Sequence, residues 1–254
     1  MSASPHLVQL VRLAPAWDQP DIRAACLALP ATIAALPPEA VIYRGRNTLT
    51  RFTLAGREVV AKAFPAPRTL LKRIQRLGRA SKAVRAFDHA AHMQRLSIGT
   101  PEPFAALESA DGAAWYICAW ADDCRPAWHL HDSKVPDSDR WCDELGAFVG
   151  RMHEAGAYHF DSTPGNILFR VQNTSCEFFV VDCNRMRFGK VSTWSGLRSL
   201  AQLQCQGRLL AGYCRARGWT VASIQGMYDF RLSLHRWIWR VKNGSRPLRR
   251  KIGF

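Results

Sequence analysis

The loop from Tyr158 to Leu168 constrains the fold more than any other part of the sequence, because regular structure is predicted on both sides of it. Before the loop, residues 139–155 place apolar side chains at helical spacing, and Gly156 is a typical helix stop. After it, residues 167–171 and 178–182 are two β-rich runs around a polar turn, which predicts a pair of strands. The sequence therefore predicts a polar loop fixed between a helix and a strand pair.

This loop carries the pattern His-x-Asp-x-x-x-x-Asn, formed by His159, Asp161 and Asn166. Phosphoryl transfer needs such a pattern in a compact loop, where the aspartate orients or accepts the proton of a substrate hydroxyl and the asparagine ligates magnesium. Asp182 ends the second hydrophobic run, where a carboxylate is placed to bind magnesium that bridges phosphates. The alternative is structural: His159 caps the loop, Asp161 makes a turn and Asp182 ends a strand.

A lysine in the first half of the chain adds to this pattern. Residues 49–54 and 58–64 are β-rich and are separated by Ala55-Gly56-Arg57, which predicts a hairpin. The second run contains Val59-Val60-Ala61-Lys62, and a strand lysine in this context can pair with the phosphate oxygens of a nucleotide. An exposed strand lysine without such a role is the alternative. A helix predicted over 81–96 carries Asp88, whose carboxylate either holds Lys62 or is simply solvated.

The chain is predicted to be an α+β protein of two lobes. Residues 121–138 are polar and interrupted by prolines, and they separate a β-rich first half from a helical second half. We therefore predict a nucleotide-binding lobe over 1–121, which includes a leading extension over 1–35 of unpredicted shape. The second lobe, 122–254, contains the catalytic loop and ends in a basic tail.

The charge of the chain indicates an anionic partner. Thirty-five Lys and Arg residues against 20 Asp and Glu give a net charge of +15 and an isoelectric point near 10.1. Nucleic acid, anionic lipid and a phosphorylated substrate all fit such a charge. Basic residues cluster over 68–85, 185–190 and 240–251, and a basic amphipathic helix over 68–79 either lies on an anionic membrane or packs on the protein. No nucleic-acid-binding motif accompanies the charge, so nucleic acid is not expected.

Several other classes of protein are disfavoured. The eight cysteines include no C-x-x-C pair and no zinc spacing. His153-Glu154 is not followed by the second histidine of a zinc protease helix, because Ala157 stands in its place. There is no apolar run of about 18 residues to span a membrane, and the N-terminus lacks the features of a secretory signal. We therefore expect a cytoplasmic protein.

Several sequence strings are shared with a known family. They are Gly45-Arg46-Asn47-Thr48, Val59-Val60-Ala61-Lys62, Ser81-Lys82-Ala83, Gly99-Thr100-Pro101-Glu102-Pro103, Asp161-Ser162-Thr163-Pro164-Gly165-Asn166-Ile167-Leu168 and Val181-Asp182-Cys183-Asn184-Arg185-Met186-Arg187-Phe188-Gly189. On these strings the chain resembles the protein-kinase-like fold and, within it, the lipopolysaccharide kinases of the Kdo/WaaP type. The resemblance extends from about residue 42 to the end, and the last two strings are the most specific.

This resemblance implies a bilobal kinase-like fold that transfers phosphate from ATP, with magnesium, to a Kdo or heptose hydroxyl of the lipid A-core glycolipid. By position, Lys62 would hold the α- and β-phosphates, Asp161 would be the catalytic base, and Asn166 and Asp182 would ligate magnesium. Gly45, Arg46 and Asn47 would form the phosphate loop. The enzyme would act at the cytoplasmic face of the inner membrane, in peripheral contact with its anionic surface.

The sequence departs from ordinary protein kinases in several places. No G-x-G-x-x-G precedes Lys62, and Asp182-Cys183-Asn184 replaces D-F-G. Thr163 stands where Ser/Thr kinases carry a catalytic lysine, which argues against a protein substrate. Asp88 stands where a glutamate is usual, and it is one methylene shorter.

Other functions stay open at this point. The chain could be another small-molecule or protein kinase, or a basic kinase-like binding protein without catalysis. Aminoglycoside-type phosphotransferases share the H-x-D-x-x-x-x-N loop, but their cationic acceptors match poorly with a chain of net charge +15.

Overall fold

The structure is a computed structural model that describes residues 8–67, 69, 78–131, 135–203 and 208–244. The chain divides into two compact units: Met1–Asp123 with Val180–Asn184, and Cys124–Phe179 with Arg185–Phe254. The sequence prediction used a single boundary after residue 121, whereas the structure also assigns Val180–Asn184 to the first unit. Most of the predicted basic helix over 68–79, and the basic tail after Gly244, lie outside the described residues.

The first unit is built on a six-stranded antiparallel sheet in the order β1-β5-β6-β4-β3-β2. Its strands are β1 (Val8–Leu13), β2 (Val41–Arg44), β3 (Thr48–Leu54), β4 (Arg57–Phe64), β5 (Pro103–Ser109) and β6 (Ala114–Ala119). Alternating burial along β3, with Thr50, Phe52 and Leu54 inside, shows one face packed and one face open. The predicted hairpin over 49–64 matches β3 and β4.

The leading extension is part of the first unit. Strand β1 pairs with β5 at the edge of the sheet. Helices α1 (Pro20–Leu27) and α2 (Leu29–Ala35) follow, and each begins with a proline in its first turn. Ile22, Cys26 and Leu29 are buried in the same core as the sheet residue Phe104. Residues 8–35 therefore complete the core of this unit.

Helix α3 (Lys82–Arg95) packs on the sheet of the first unit. The side chain of Ser81 caps it by accepting a hydrogen bond of 3.1 Å from the backbone N–H of Val84. Buried Ala83, Phe87 and Ala90 follow the helical period and form the face against the strands. The opposite face carries the polar residues Arg85 and Asp88. The helix predicted over 81–96 is therefore present and is amphipathic.

The second unit is mainly helical. Its helices are α4 (Ser138–Glu154), α5 (Thr193–Leu203), α6 (Leu209–Arg217) and α7 (Val221–Gly244). A small sheet has the order β10-β9-β7, and β8 pairs antiparallel with β11. These strands are β7 (Arg125–Pro126), β8 (Ala157–His159), β9 (Ile167–Gln172), β10 (Ser175–Val180) and β11 (Met186–Phe188). The helix predicted over 139–155 matches α4.

Helices α4 and α6 approach each other closely through glycines. A Cβ atom at Gly146 would lie 2.0 Å from the backbone oxygen of Leu209, and one at Gly212 would lie 1.8 Å from that of Asp143. Only glycine fits at such distances, because a side chain would overlap with backbone atoms. The residues that α4 buries, including Leu145 and Val149, belong to the core of this unit.

The α+β fold class, with a β-rich part followed by a mainly helical part, is confirmed. One strand is shorter than predicted at its end: β10 stops at Val180, so Asp182 lies two residues beyond the strand. Among the described helices, none has both the length and the apolar composition needed to cross a membrane.

Candidate active site

Lys62 and Asp182 form an ion pair within the first unit, although they are 120 positions apart in sequence. Lys62 lies on β4, opposite Leu49 of β3 and Tyr116 of β6. The side chains of the pair are only 17% and 19% exposed, so solvent screens their attraction less than at the surface. The structure thus brings together two residues that the sequence singled out separately.

The backbone of Asp182 is held in an unusual conformation. Its φ of 59° lies in the left-handed region, which aspartate tolerates better than most residues but which still carries strain. Hydrogen bonds fix the chain just before it: the N–H of Val180 donates to the Gly99 carbonyl at 2.8 Å, and the Thr100 hydroxyl donates to the Val180 carbonyl at 2.8 Å. The carboxylate is therefore presented by a firmly anchored turn.

His89 is a residue at this site that the sequence analysis missed. It lies on α3, and its Nδ1 is 2.7 Å from the backbone oxygen of Cys183, the residue after Asp182. A carbonyl only accepts, so Nδ1 carries the proton in this contact. Burial lowers the pKa of His89, which favours the neutral ring at neutral pH. Helix α3 thereby holds the turn that presents Asp182.

Asp88, which the sequence presented either as a partner of Lys62 or as a solvated residue, pairs with another cation. The Asp88 carboxylate pairs with Arg12 on β1, at 2.8 Å, and both side chains are about two-fifths exposed. Successive residues of a helix point about 100° apart, so Asp88 and His89 face different neighbours. The leading extension supplies the partner of Asp88, and the cation at the candidate site is paired with Asp182 instead.

Three neutral side chains, Cys118, Cys183 and Tyr116, lie near the Lys62–Asp182 pair. Burial raises the pKa of Cys118 to about 12 and that of Cys183 to about 11, and the positive charge of Lys62 opposes both shifts. Burial also raises the pKa of Tyr116 well above its usual value. These groups stay protonated at neutral pH, so they add no negative charge where phosphate groups would bind.

The loop with Asp161 and Asn166 lies in the second unit and is held by its own hydrogen bonds. The N–H of Asp161 donates to Nδ1 of His159 at 3.1 Å, and Nδ2 of Asn166 donates to the Asp161 carbonyl at 2.7 Å. The buried hydroxyl of Ser162 donates to the His159 carbonyl at 2.9 Å. Gln202 on α5 accepts from the N–H of Ser162. His159 therefore helps to hold the loop, which is the structural role that the sequence left open. These hydrogen bonds fix the backbone that carries the Asp161 side chain.

Arg185 is a second residue that the sequence analysis did not assign. Its guanidinium donates to the Asp161 carboxylate at 3.0 Å. The N–H of Phe160 donates to the Arg185 carbonyl at 3.1 Å, and Met186 pairs with His159 across β11 and β8. This pairing brings Arg185 beside the loop, where it orients the carboxylate of Asp161.

Gly45, Arg46 and Asn47 form the turn between β2 and β3 in the first unit. The N–H of Gly45 donates to the Asn47 carbonyl at 3.0 Å. The hydroxyl end of the exposed Tyr43 side chain lies over Gly45, 2.5 Å from the position that a Cβ atom would take. Strand β3 begins at the end of this turn and is the neighbour of β4, which carries Lys62.

The chemistry of the predicted ligands fits magnesium. Magnesium prefers oxygen ligands and is usually bound by one or two side chains together with phosphates and water. Asp182 offers a carboxylate, and Asn166 offers Oδ1, because its Nδ2 is the donor to Asp161. The described residues contain no cluster of three or more His, Cys, Asp or Glu side chains that could hold a metal by themselves.

Comparison with known proteins finds one family that matches part of the chain. Residues 121–227 match the Lipopolysaccharide kinase (Kdo/WaaP) family. The resemblance predicted from the sequence is confirmed. The matched range includes Asp161, Asn166 and Asp182, whereas Lys62 precedes it. This match to a kinase family supports a phosphotransferase, and a kinase implies the use of ATP.

Solved structures support the same fold. The structure titled "WaaP in complex with acyl carrier protein" matches with a TM-score of 0.59 and 17% sequence identity, over 90% of this chain and 96% of that chain. At this identity the likeness shows the fold alone, and it supports the protein-kinase-like fold. In all, 841 chains of solved structures match, so the fold is widespread and does not specify an acceptor. No curated protein sequence matches the chain.

Proposed function

We propose that this protein is an ATP- and magnesium-dependent kinase that phosphorylates a sugar hydroxyl, of Kdo or heptose, in the lipid A-core of lipopolysaccharide. The observation that carries the proposal is the Lys62–Asp182 pair. A kinase needs a cation for the phosphates and a carboxylate for the metal in one place. Here the two partners come from distant parts of the sequence and meet in a half-enclosed position.

Each residue of the site has a proposed role in this reaction. Lys62 binds the α- and β-phosphates of ATP, and the turn Gly45-Arg46-Asn47 supports them. Asp182 and Oδ1 of Asn166 ligate magnesium, which when bound neutralises negative charge on the phosphates. Asp161 orients the acceptor hydroxyl and takes its proton, and Arg185 holds the Asp161 carboxylate in place.

The acceptor is proposed from family and charge together. The family match names lipopolysaccharide kinases, and the net charge of +15 suits an acceptor that carries acidic and phosphorylated groups. Thr163, in the place of the lysine of Ser/Thr kinases, disfavours a protein acceptor. A lipid-linked acceptor places the enzyme in the cytoplasm, in peripheral contact with the anionic inner surface of the inner membrane.

Two other functions fit parts of the same observations. One is a kinase of the same fold for another small molecule or for protein, since the fold does not select the acceptor. The other is a basic kinase-like binding protein without catalysis. The ordered loop around Asp161 and the Lys62–Asp182 pair favour catalysis over this second alternative.

The test is phosphate transfer from γ-labelled ATP with magnesium, measured in parallel on purified inner-core lipid A, free Kdo and a generic basic protein. Wild type is compared with Asp182→Ala and Asp161→Asn, and with Asp139→Asn as an acidic control on α4. We expect label in the glycolipid that is lost in the first two variants and kept in the third. Label in the basic protein alone, or the absence of label and of ATP binding, would contradict the proposal.

A further inference from the structure

Helix α7 (Val221–Gly244) exposes an apolar stripe over much of its length. Met227, Phe230, Leu234, Trp237, Ile238 and Val241 lie within one sector of the helix at 3.6 residues per turn. Phe230 is 60% exposed and Trp237 is 62% exposed, and Val241 is also more than half exposed. Neighbouring large apolar side chains on one surface are uncommon unless that surface binds something.

The stripe is separate from the face by which α7 packs. Ile224 and Tyr228 are buried, and they lie on the side of α7 that packs against the rest of the second unit, mainly against α5. Beyond that packed turn, the residues from Arg236 to Lys242 are all exposed. The end of the described helix therefore extends away from the core while it keeps its apolar residues.

Basic side chains flank the stripe. Arg240 and Lys242 lie on either side of the stripe, each about 100° from its centre around the helix, and Arg236 lies next to Arg240 and farther from the stripe. At the other end, the guanidinium of Arg231 lies 4.2 Å from the ring of Trp194 on α5. The Arg231 Nε is buried and makes no hydrogen bond among the described residues. Burial lowers the pKa of Arg231, and the nearby positive charge of Arg198 on α5 lowers it further.

Trp194 extends the apolar stripe onto α5. Its ring is 6.0 Å from that of Phe230, and its side chain is 44% exposed. Tryptophan rings bordered by arginines are typical of helices that lie at a membrane surface, with the rings among the lipid headgroups and the cations near phosphates. We name this surface the α5/α7 face; it consists of the six stripe residues of α7, Trp194 and the flanking basic residues.

We propose that the α5/α7 face binds the surface of an anionic phospholipid membrane. The exposed stripe enters the headgroup region, and the arginines meet lipid phosphates. The apolar area favours lipid, and the flanking cations favour an anionic surface, so α7 lies along the membrane surface. An acidic protein or a second copy of the chain is a different occupant, and the test below separates them.

This inference rests on the proposed function for its purpose, because a kinase with a lipid-linked acceptor has to reach a membrane. It differs from the sequence prediction in its location, since the sequence placed membrane contact on residues 68–79 and on the tail. Binding to vesicles is measured without ATP or acceptor, so a failure of the kinase proposal leaves this measurement intact.

The experiment is co-sedimentation of the full chain with vesicles of phosphatidylglycerol and phosphatidylethanolamine, and with vesicles of phosphatidylcholine alone. The apolar variant is Trp237→Ser/Val241→Ser, and its control is Leu27→Ser/Val171→Ser, which removes exposed apolar side chains elsewhere. The charge variant is Arg236→Glu/Arg240→Glu, and its control is Arg151→Glu/Arg208→Glu, which changes net charge equally. Circular dichroism checks that each variant folds.

We expect wild type to bind the anionic vesicles and not the neutral ones. Each α7 variant should bind about tenfold more weakly or worse, because insertion of apolar side chains and pairing of arginines with the surface each contribute free energy of that order. Both controls should bind as wild type, and the apolar variant should still phosphorylate free Kdo.

Three results would overturn the proposal. The first is wild-type binding by both α7 variants, and the second is an equal loss in the charge control, which would show an effect of net charge alone. The third is a wild-type chain that does not bind vesicles and that elutes as a dimer in size-exclusion chromatography, while Trp237→Ser/Val241→Ser elutes as a monomer. That result would make the α5/α7 face an interface between two copies.

Discussion

Both acidic residues of the candidate site have a cationic partner within their own unit. Asp182 is paired with Lys62, and Asp161 is paired with Arg185. The two pairs differ in exposure, since the Asp161 and Arg185 side chains are 35% and 43% exposed. An exposed pair of this kind contributes about 1 kcal/mol or less to stability. The Arg185 contact therefore matters more for the orientation of Asp161 than for the fold.

Substitution of Arg185 tests this positioning role. Arg185→Ala should lower kcat by about tenfold or more, because a misplaced base loses rate steeply with distance, while KM for ATP changes little. Arg185→Lys should restore part of the rate through a single hydrogen bond. Arg187→Ala, on β11 and exposed, is the matched control and should behave as wild type. A rise in KM for ATP with kcat unchanged would show that Arg185 binds nucleotide instead.

His89 and Asp88 give a direct comparison of two neighbouring residues on α3. His89→Ala removes the hydrogen bond to the Cys183 carbonyl and should raise the KM for magnesium-ATP by about tenfold, because the turn that presents Asp182 loses its support. His89→Asn keeps a donor and should recover part of the affinity. Asp88→Ala removes only the exposed pair with Arg12 and should leave KM unchanged. Steady-state kinetics with varied ATP measure these KM values. A raised KM in Asp88→Ala together with an unchanged KM in His89→Ala would show that Asp88, and not His89, supports nucleotide binding.

The residues that the sequence signalled are those whose spacing is local. His159, Asp161 and Asn166 lie in one loop, and Lys62 stands in a recognisable strand context. His89 could not be predicted, because its contact is with a backbone carbonyl 94 positions away. On the same helix, the sequence draws attention to Asp88 instead of His89, because an acidic residue is the usual partner of a lysine. Arg185 was visible within a shared string, but its contact with Asp161 depends on the pairing of β8 with β11.

At the level of elements, sequence patterns gave the hairpin of β3 and β4 and the helices α3 and α4. The hairpin has alternating burial and a glycine turn, and the helices have clear apolar faces. The elements of residues 8–35 were not predicted. Strand β1 pairs with β5, which is distant in sequence, and α1 and α2 are short. Their position is set by long-range packing, which a local pattern does not contain.

The glycine contact between α4 and α6 supports a prediction on stability. Gly212→Ala would place a Cβ atom 1.8 Å from the Asp143 carbonyl oxygen, so the helices must move apart. We expect the free energy of unfolding to fall by about 1–3 kcal/mol, as for other overpacked cores. Gly226→Ala on α7 is the control, since a Cβ atom there meets nothing within 4 Å. It should be neutral or slightly stabilising, because alanine favours a helix over glycine.

Urea denaturation followed by circular dichroism measures both glycine variants. Equal stability of Gly212→Ala and wild type would mean that α4 and α6 separate at no cost. The packing of the second unit would then not depend on the glycine contact.

At the scale of the whole molecule, one buried histidine links stability to pH. His153 on α4 is 2% exposed, and its Nδ1 lies 3.0 Å from the hydroxyl of Tyr213 on α6. Burial, together with the charge of Arg217, lowers the pKa of His153 to about 3. The unfolded chain binds a proton at this histidine below its ordinary pKa of about 6.5, whereas the folded chain does not. Protonation of His153 therefore favours unfolding, and stability is lost as the pH falls below the ordinary histidine pKa of about 6.5.

We expect the free energy of unfolding of the wild type to fall more steeply with acid than that of His153→Phe, between about pH 6 and about pH 4. One proton taken up on unfolding corresponds to a slope of about 1.4 kcal/mol per pH unit, which is the largest difference that this residue can cause. Paired carboxylates also weaken the fold in acid, but they do so in both proteins, so the difference in slope isolates His153. His129→Phe is the matched control, because it makes the same replacement at a histidine outside this contact. Urea denaturation at several pH values gives the slopes, and parallel curves for wild type and His153→Phe would show that the buried imidazole is not neutral in the folded chain.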